Sequence, residues 1–234
     1  MPPAILPDVH TNQPHRIALT AFALGGVTGL FLGLIRTVQL KAFSVYMASL
    51  ALFHFLEYYT TAKYNPKQVS EDSFLLNNGI EYLLCHSIAI LECFLEYVFL
   101  PRWKTDCKST SHLVVISLGY FFMIMGQMAR TLAMCTAGGS FSHTVKTNRG
   151  EDHILIKQGI YKWIRHPSYF GFFWWAIGTQ MILLNPISLV LFATVLWKFF
   201  RQRIKFEESY LLQFFGREYY EYRESVPALI PFIE

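Results

Sequence analysis

The chain has 234 residues, of which 53% are apolar, 17% aromatic and only 15% charged; soluble domains carry about 25% charged residues, so the composition excludes an ordinary water-soluble domain. The net charge of +4 is mild and gives no reason to invoke a nucleic-acid partner. The four cysteines (Cys85, Cys93, Cys107, Cys135) have no CxxC spacing and no accompanying histidine pattern, so neither a disulfide framework nor a metal site is expected.

The N-terminus has no basic segment ahead of a short apolar core, and no cleavable signal peptide is expected. Six apolar runs follow, at 17–35, 42–59, 80–100, 113–135, 168–184 and 187–200. A span needs about 20 apolar residues, with a range of roughly 17–25. The last run is short unless its helix continues through Phe206. The pattern predicts an all-α, polytopic integral membrane protein of about six transmembrane helices. It forms one domain over 1–234, with scaffold helices at 17–135, a helical hairpin at 168–200 and a polar tail.

In the first run Gly25, Gly29 and Gly33 recur every four residues, a face that permits close helix packing. The second carries His54 and Glu57 near its end. They read either as a ligand or proton-relay pair or as interfacial residues reaching for water. The third holds Glu81, His86, Glu92 and Glu96. Glu92 and Glu96 lie one turn apart and are candidates to pair with Arg130 or Lys198 inside the bundle. The spacing of Glu81, His86 and Glu92 does not put all three on one helix face, which argues against a metal cluster there.

Six spans place both termini and the segments 60–79 and 136–167 on one side. That side carries 13 Lys and Arg, between Arg16 and Arg223; the other carries 5 (Arg36, Lys41, Arg102, Lys104, Lys108). The positive-inside rule makes the first side cytosolic.

The fifth run opens on Arg165, His166, Pro167, Ser168 and Tyr169, much polar chemistry for the door of an apolar helix. Proline at a helix start, arginine at the membrane edge and tyrosine in the aromatic belt would account for it blandly. The second patch shifts the balance. Asn185-Pro186 folds the last helix back antiparallel, returning Arg203 and Glu207 to the level of His166–Tyr169. As an ion pair these two would be in the less favourable order; as halves of a site they converge from distant sequence. No phosphate loop, dinucleotide fingerprint or nucleophile elbow is present. The neighbouring loop instead offers His143, Lys146, Thr147, Asn148 and His153. Glu207 suits an ammonium group and Arg203 a carboxylate.

The segments "SHTV…DHILIKQGIYKWIRHPSYFGFF…NP" and "FFRQRIKFEESYLLQFFGREYYEYRESVPALIPFI", with "NPKQVSEDSFLLNNGIEY" upstream, resemble the isoprenylcysteine carboxyl methyltransferase family over nearly the whole chain. The HP-Y-G turn and the EE…FG..Y..Y…VP tail are shared more loosely with membrane phospholipid methyltransferases and some sterol reductases. Animal members of the family are described with eight spans, so the count of six implies that an N-terminal pair is missing here. The resemblance implies methylation, by S-adenosylmethionine, of the C-terminal carboxylate of an S-prenylated cysteine left after CaaX processing. Its partners would be prenylated CaaX proteins and the bilayer, its membrane the endoplasmic reticulum, and it would use no metal. Cofactor contacts would fall on Gly138, on Val145, Lys146, Thr147 and Asn148 through the backbone, and on His153, His166, Pro167, Ser168, Tyr169 and Glu207. The substrate carboxylate would fall to Arg203, making Arg203 and Glu207 the catalytic pair and 136–234 the catalytic region. The alternatives are a phospholipid N-methyltransferase and a non-catalytic transporter or scaffold.

Overall fold

The structure is a computed structural model describing residues 12–105, 109–149 and 154–233. Cys107 and His153 lie outside the described residues. Within them the chain is helical, with no strand: α1 (Pro14–Leu34), α2 (Lys41–Tyr64), α3 (Ile80–Phe99), α4 (Pro101–Thr105), α5 (Thr110–Ala137), α6 (Pro167–Leu183), α7 (Pro186–Phe215) and α8 (Arg217–Ser225). Each of the six apolar runs is a helix. Proline occupies the first turn of α1, α6 and α7, where its missing N–H costs nothing and its fixed φ is already helical. Helix α7 continues well past Phe206, so the polar tail of the last run is helical too. Gly138 ends α5 with φ +50, a backbone state that a side chain would strain.

Pro14–Leu34, Ile80–Phe99 and Thr110–Ser140 are long and apolar enough to cross a membrane. Helix α6 has only 17 residues, and α2 and α7 are interrupted by charge.

The most extensive helix contact is between α5 and α6, and glycine makes it. A Cβ on Gly126 would lie 2.5 Å from the Gly171 carbonyl, and one on Gly171 would lie 2.6 Å from that of Gly126. Two turns away the relation repeats, with 2.9 Å from Gly119 to the Gly178 carbonyl and 2.6 Å in return. The antiparallel backbones thus touch through two reciprocal glycine pairs, an approach that any side chain would prevent. The expected packing face of α1 is different: at Gly25, Gly29 and Gly33 a Cβ would meet nothing within 4 Å. Helix α1 meets α2 through other residues, and its glycine face is open.

Polar contacts gather at the two ends of the bundle. At one end Asn12 Nδ2 donates to the Val69 carbonyl (2.9 Å) and Asn65 Nδ2 to that of Phe141 (2.8 Å). At the other, Lys104 Nζ donates to the carbonyls of Leu183 (2.7 Å) and Leu184 (3.1 Å) and to Asn185 Oδ1 (2.6 Å), and lies 2.6 Å from Glu96 Oε2. Glu92 accepts the N–H groups of Ile187 and Ser188, both at 2.7 Å. These contacts correct the expected pairing of Glu92 and Glu96 with Arg130 or Lys198. Glu92 caps the start of α7, where four backbone donors lack partners, and Glu96 meets Lys104. The turn Leu184–Asn185 is thereby held from both sides.

Gly126→Ala is expected to destabilise by about 1–3 kcal/mol, since the backbone it would strike cannot move without separating α5 from α6. Gly25→Ala should be neutral or gain about 0.5–1 kcal/mol, the usual helix preference for Ala. Thermal unfolding of the two purified variants in detergent checks this. Equal midpoints would show that the glycine contact carries no stability.

Candidate active site

The site is built where α6 begins and α7 leaves the apolar core. One turn into α6, the Tyr169 hydroxyl donates to Glu207 Oε2 (2.6 Å) and accepts from Arg203 Nε (2.9 Å). Arg203 and Glu207, four residues apart, do not pair with each other; both bind this one oxygen. The Arg203 guanidinium also donates through Nη2 to the His143 carbonyl (2.5 Å). Tyr169 stacks between His166 (5.5 Å between centroids) and Phe200 (5.1 Å), which fixes where its hydroxyl points.

Behind this lies a second carboxylate. Glu208 Oε1 accepts from Arg165 Nε (2.8 Å) and lies 3.0 Å from His166 Nε2. Burial alone would raise its pKa, but the hydrogen bonds and charges of His166 and Arg165 outweigh it and hold the carboxyl down at about 2. Arg165 in turn donates to the Val226 carbonyl through Nη1 (3.0 Å), and its own N–H to that of Pro227 (3.1 Å). The C-terminal Val-Pro segment is therefore tied to the turn before α6 through one arginine.

A third ion pair braces the site from α2 and α5. Arg130 donates to both oxygens of Glu57 (2.5 and 2.8 Å) and to Ser168 Oγ (2.9 Å). Its guanidinium lies over the Phe53 and Phe172 rings, 5.5 Å from each. Glu57 is thus a partner of the site. His54 is not: its ring bonds the Phe74 carbonyl (2.8 Å) and the Tyr82 hydroxyl (2.8 Å). His143 is half-buried, and desolvation lowers its pKa to about 4, against a raising influence of Glu57 and with help from Arg130 and Arg203. It is neutral at pH 7, so its approach to Glu57 (3.8 Å) is no ion pair.

Two cavities meet at Tyr169. The smaller is bordered by His166, Pro167, Glu207 and Tyr222, with Leu155 and Leu211 as apolar wall. The larger, of about 640 Å³, runs between α3 and α7, and Arg130 and Arg203 line it. Phe141, Ser142, Ser168 and Tyr169 border both. Of the expected site residues, the structure brings together His166, Pro167, Ser168, Tyr169, Arg203 and Glu207. Gly138 lies beside the smaller cavity, whose border includes Ala137 and Ser140. Val145, Lys146, Thr147 and Asn148 border neither cavity, and Thr147 and Asn148 are exposed. Glu208 and Tyr222 are not singled out by the sequence, and Arg130 enters there only as an ion-pair partner for Glu92 or Glu96 and not as a residue of the site. A charge at mid-run was the available signal for Arg130; nothing in the Glu207-Glu208 pair showed which would turn inward.

Residues 117–213 match the isoprenylcysteine carboxyl methyltransferase family. A protein-S-isoprenylcysteine O-methyltransferase of Saccharomyces cerevisiae is 53% identical, over 97% of this chain and 95% of its own length. One of Homo sapiens is 43% identical, over 99% of this chain and 80% of its own. A solved structure of the eukaryotic intramembrane Ras methyltransferase, isoprenylcysteine carboxyl methyltransferase, aligns with a TM-score of 0.88 at 39% identity. The match covers 93% of this chain and 77% of that one. The helical bundle is that of an integral membrane methyltransferase. The chain belongs to the isoprenylcysteine carboxyl methyltransferase family.

Glu208→Gln leaves Arg165 buried without its charge partner, which is expected to cost about 3 kcal/mol or more at neutral pH. Because the folded pKa is depressed from 4.5 to about 2, the stabilisation is complete above 4.5 and is lost as pH falls toward 2. The stability gap between wild type and variant should therefore close across that window. Unfolding curves as a function of pH measure it; a gap independent of pH would remove the Glu208 charge from the explanation.

Proposed function

We propose that this protein methylates the C-terminal carboxylate of S-prenylated cysteine in CaaX-processed proteins, with S-adenosylmethionine as methyl donor. The observation that carries the reading is the Tyr169 hydroxyl, which stands on the wall common to both cavities and binds Glu207 on one side and Arg203 on the other. The smaller cavity is the more polar of the two and the larger lies between apolar helices, which suits a soluble cofactor and a lipid-modified substrate.

The smaller cavity fits the cofactor by its donor set. Glu207 supplies a carboxylate for an ammonium group. Arg165 Nη2 is buried there with no hydrogen-bond partner, an unmet donor for a carboxylate. Leu155, Leu211 and Phe215 offer an apolar wall for an aromatic base. Residues His166–Tyr169 and Glu207 would hold the cofactor, with Gly138 near its edge and the 145–148 segment outside that set. When bound, S-adenosylmethionine supplies an electrophilic methyl group.

The substrate carboxylate is already ionised near pH 7, so no general base is required of the protein. Its task is to align the carboxylate and strip it of water without leaving it unpaired. A guanidinium has five N–H donors; in Arg203 Tyr169 and His143 take two, and the remaining ones leave an end-on fork for the carboxylate. Arg130 borders the same cavity and adds a second cation, held in place by Glu57. The tail would lie in the larger cavity, whose entrance between α3 and α7 is flanked by exposed apolar side chains. The product loses one negative charge and rests more easily against an anionic membrane surface.

The two polar ends of the bundle support the six-span arrangement. Residues 12–16, 60–74, 138–149 and 203–228 meet at one end, and residues 97–105 and 183–188 at the other. The lysine and arginine bias makes the first end cytosolic, in the endoplasmic reticulum membrane where CaaX processing is expected.

Methyl transfer to a prenylcysteine substrate and to phosphatidylethanolamine, measured side by side, tests the function; transfer to the phospholipid alone would replace it. Arg203→Lys keeps the charge and loses the fork. Turnover on prenylcysteine should fall by about a hundredfold through lost alignment while cofactor binding survives; near-equal turnover would take Arg203 out of the site. Glu207→Gln should instead weaken cofactor binding by about tenfold or more, the loss of one charge-assisted hydrogen bond. Calorimetric titration of the solubilised protein reads it, and an unchanged affinity would make Glu207 structural.

A further inference from the structure

Arg203 is aimed by two acceptors. Its guanidinium is planar, and bonds from Nε to the Tyr169 hydroxyl and from Nη2 to the His143 carbonyl set that plane. The Tyr169 end is fixed by ring stacking inside the bundle. The His143 end belongs to irregular chain. Among the described residues, 141–149 makes one backbone–backbone hydrogen bond, from the Phe141 N–H to the Gly138 carbonyl (3.0 Å). Regular structure therefore does not hold His143 in place, and side chains from elsewhere must.

Those side chains come from α2. Glu57, Thr61 and Asn65 recur every four residues, so they share one stripe of that helix and the residue that ends it. Glu57 takes Arg130. Thr61 Oγ1 lies 3.1 Å from His143 Nε2 and gives its own proton to the Glu57 carbonyl (2.8 Å). With that proton committed, the hydroxyl can only accept, and His143 Nε2 is the donor. Two residues earlier, the Phe141 carbonyl accepts from Asn65 Nδ2 (2.8 Å). Thr61 and Asn65 are buried, and neither borders either cavity.

We propose that Thr61, seconded by Asn65, is a positioning residue for methyl transfer, holding the His143 carbonyl where it aims Arg203. The proposal rests on the functional reading above, in which Arg203 grips the substrate carboxylate. Without the Thr61 hydroxyl the His143 ring loses its partner, and the carbonyl is free to drift. The guanidinium then turns about its one remaining anchor at Tyr169. Transfer is sensitive to such an error, since a misplacement near 1 Å can cost about a hundredfold. The cofactor side, at Glu207 and His166–Tyr169, has its own supports in Arg165 and Glu208 and does not depend on this strut.

The test measures kcat and KM on the solubilised full chain with N-acetyl-S-farnesylcysteine. Rates are taken per cofactor site counted by calorimetric titration, so unfolded protein does not enter. Thr61→Val keeps the shape and removes the hydroxyl. Its kcat should fall about tenfold, the worth of one hydrogen bond, with the KM for S-adenosylmethionine unchanged. Thr61→Ser keeps the hydroxyl and should turn over near the wild-type rate. In an Arg203→Lys background, where the fork is already lost, Thr61→Val should cost less than about twofold, because the two changes break one linkage. An equal loss in both backgrounds would make Thr61 a support of the fold alone and overturn the proposal, as would an unchanged kcat. If Thr61→Val does not accumulate, Asn65→Ala removes the other strut and is held to the same two criteria. If the wild-type chain methylates phosphatidylethanolamine and not prenylcysteine, the functional reading fails and takes the proposal with it. Missing coupling beside intact prenylcysteine turnover overturns the proposal alone.

Discussion

The turn at Leu184–Asn185 is the constraint on which the rest depends. It is buried, and it reverses the chain between α6 and α7 with Leu184 in the left-handed region at φ +54. Backbone groups at such a turn have no water to bond, and an unpaired one is costly. Lys104 meets the carbonyls on one side and Glu92 the N–H groups on the other. With the reversal fixed, the register of α7 on α6 is fixed. That register sets Arg203 and Glu207 against Tyr169 at the opposite end of the hairpin.

The helices around Tyr169 are joined by short polar links across long sequence separations. Arg165 ties the start of α6 to the Val226–Pro227 segment and to Glu208. Arg130 ties α5 to α2 through Glu57 and to α6 through Ser168. The glycine contact between α5 and α6 makes the second link possible, because only backbones that nearly touch allow the Arg130 guanidinium to reach Ser168. Packing by small residues and the geometry of the charged network are thus one arrangement. Removing a partner from either buried pair leaves an uncompensated charge, so both networks hold the site rigid.

Neighbouring carboxylates take opposite roles. Glu207 and Glu208 are one residue apart and therefore about 100° apart around the helix. The first faces the wall between the cavities and the second faces Arg165 and His166. A larger, mainly apolar cavity between α3 and α7 meets a smaller, more polar one at the helix ends, and Tyr169 stands where they join.

Sequence alone was enough for the helical class, the hairpin at Asn185–Pro186 and the convergence of Tyr169 with Arg203 and Glu207. Those follow from local chemistry: apolar runs of span length, a proline that starts a helix, and a rise per residue that returns the last helix to its origin. What tertiary structure decided is which partner each buried charge takes. Glu57 rather than Glu92 meets Arg130, Glu92 caps α7, and Glu208 rather than Glu207 turns inward. The open face at Gly25, Gly29 and Gly33 and the contact at Gly119, Gly126, Gly171 and Gly178 were likewise indistinguishable as glycine patterns. Periodicity places a residue on a face of its own helix; the helix that covers that face is chosen by packing between distant segments, and only the assembled bundle settles it.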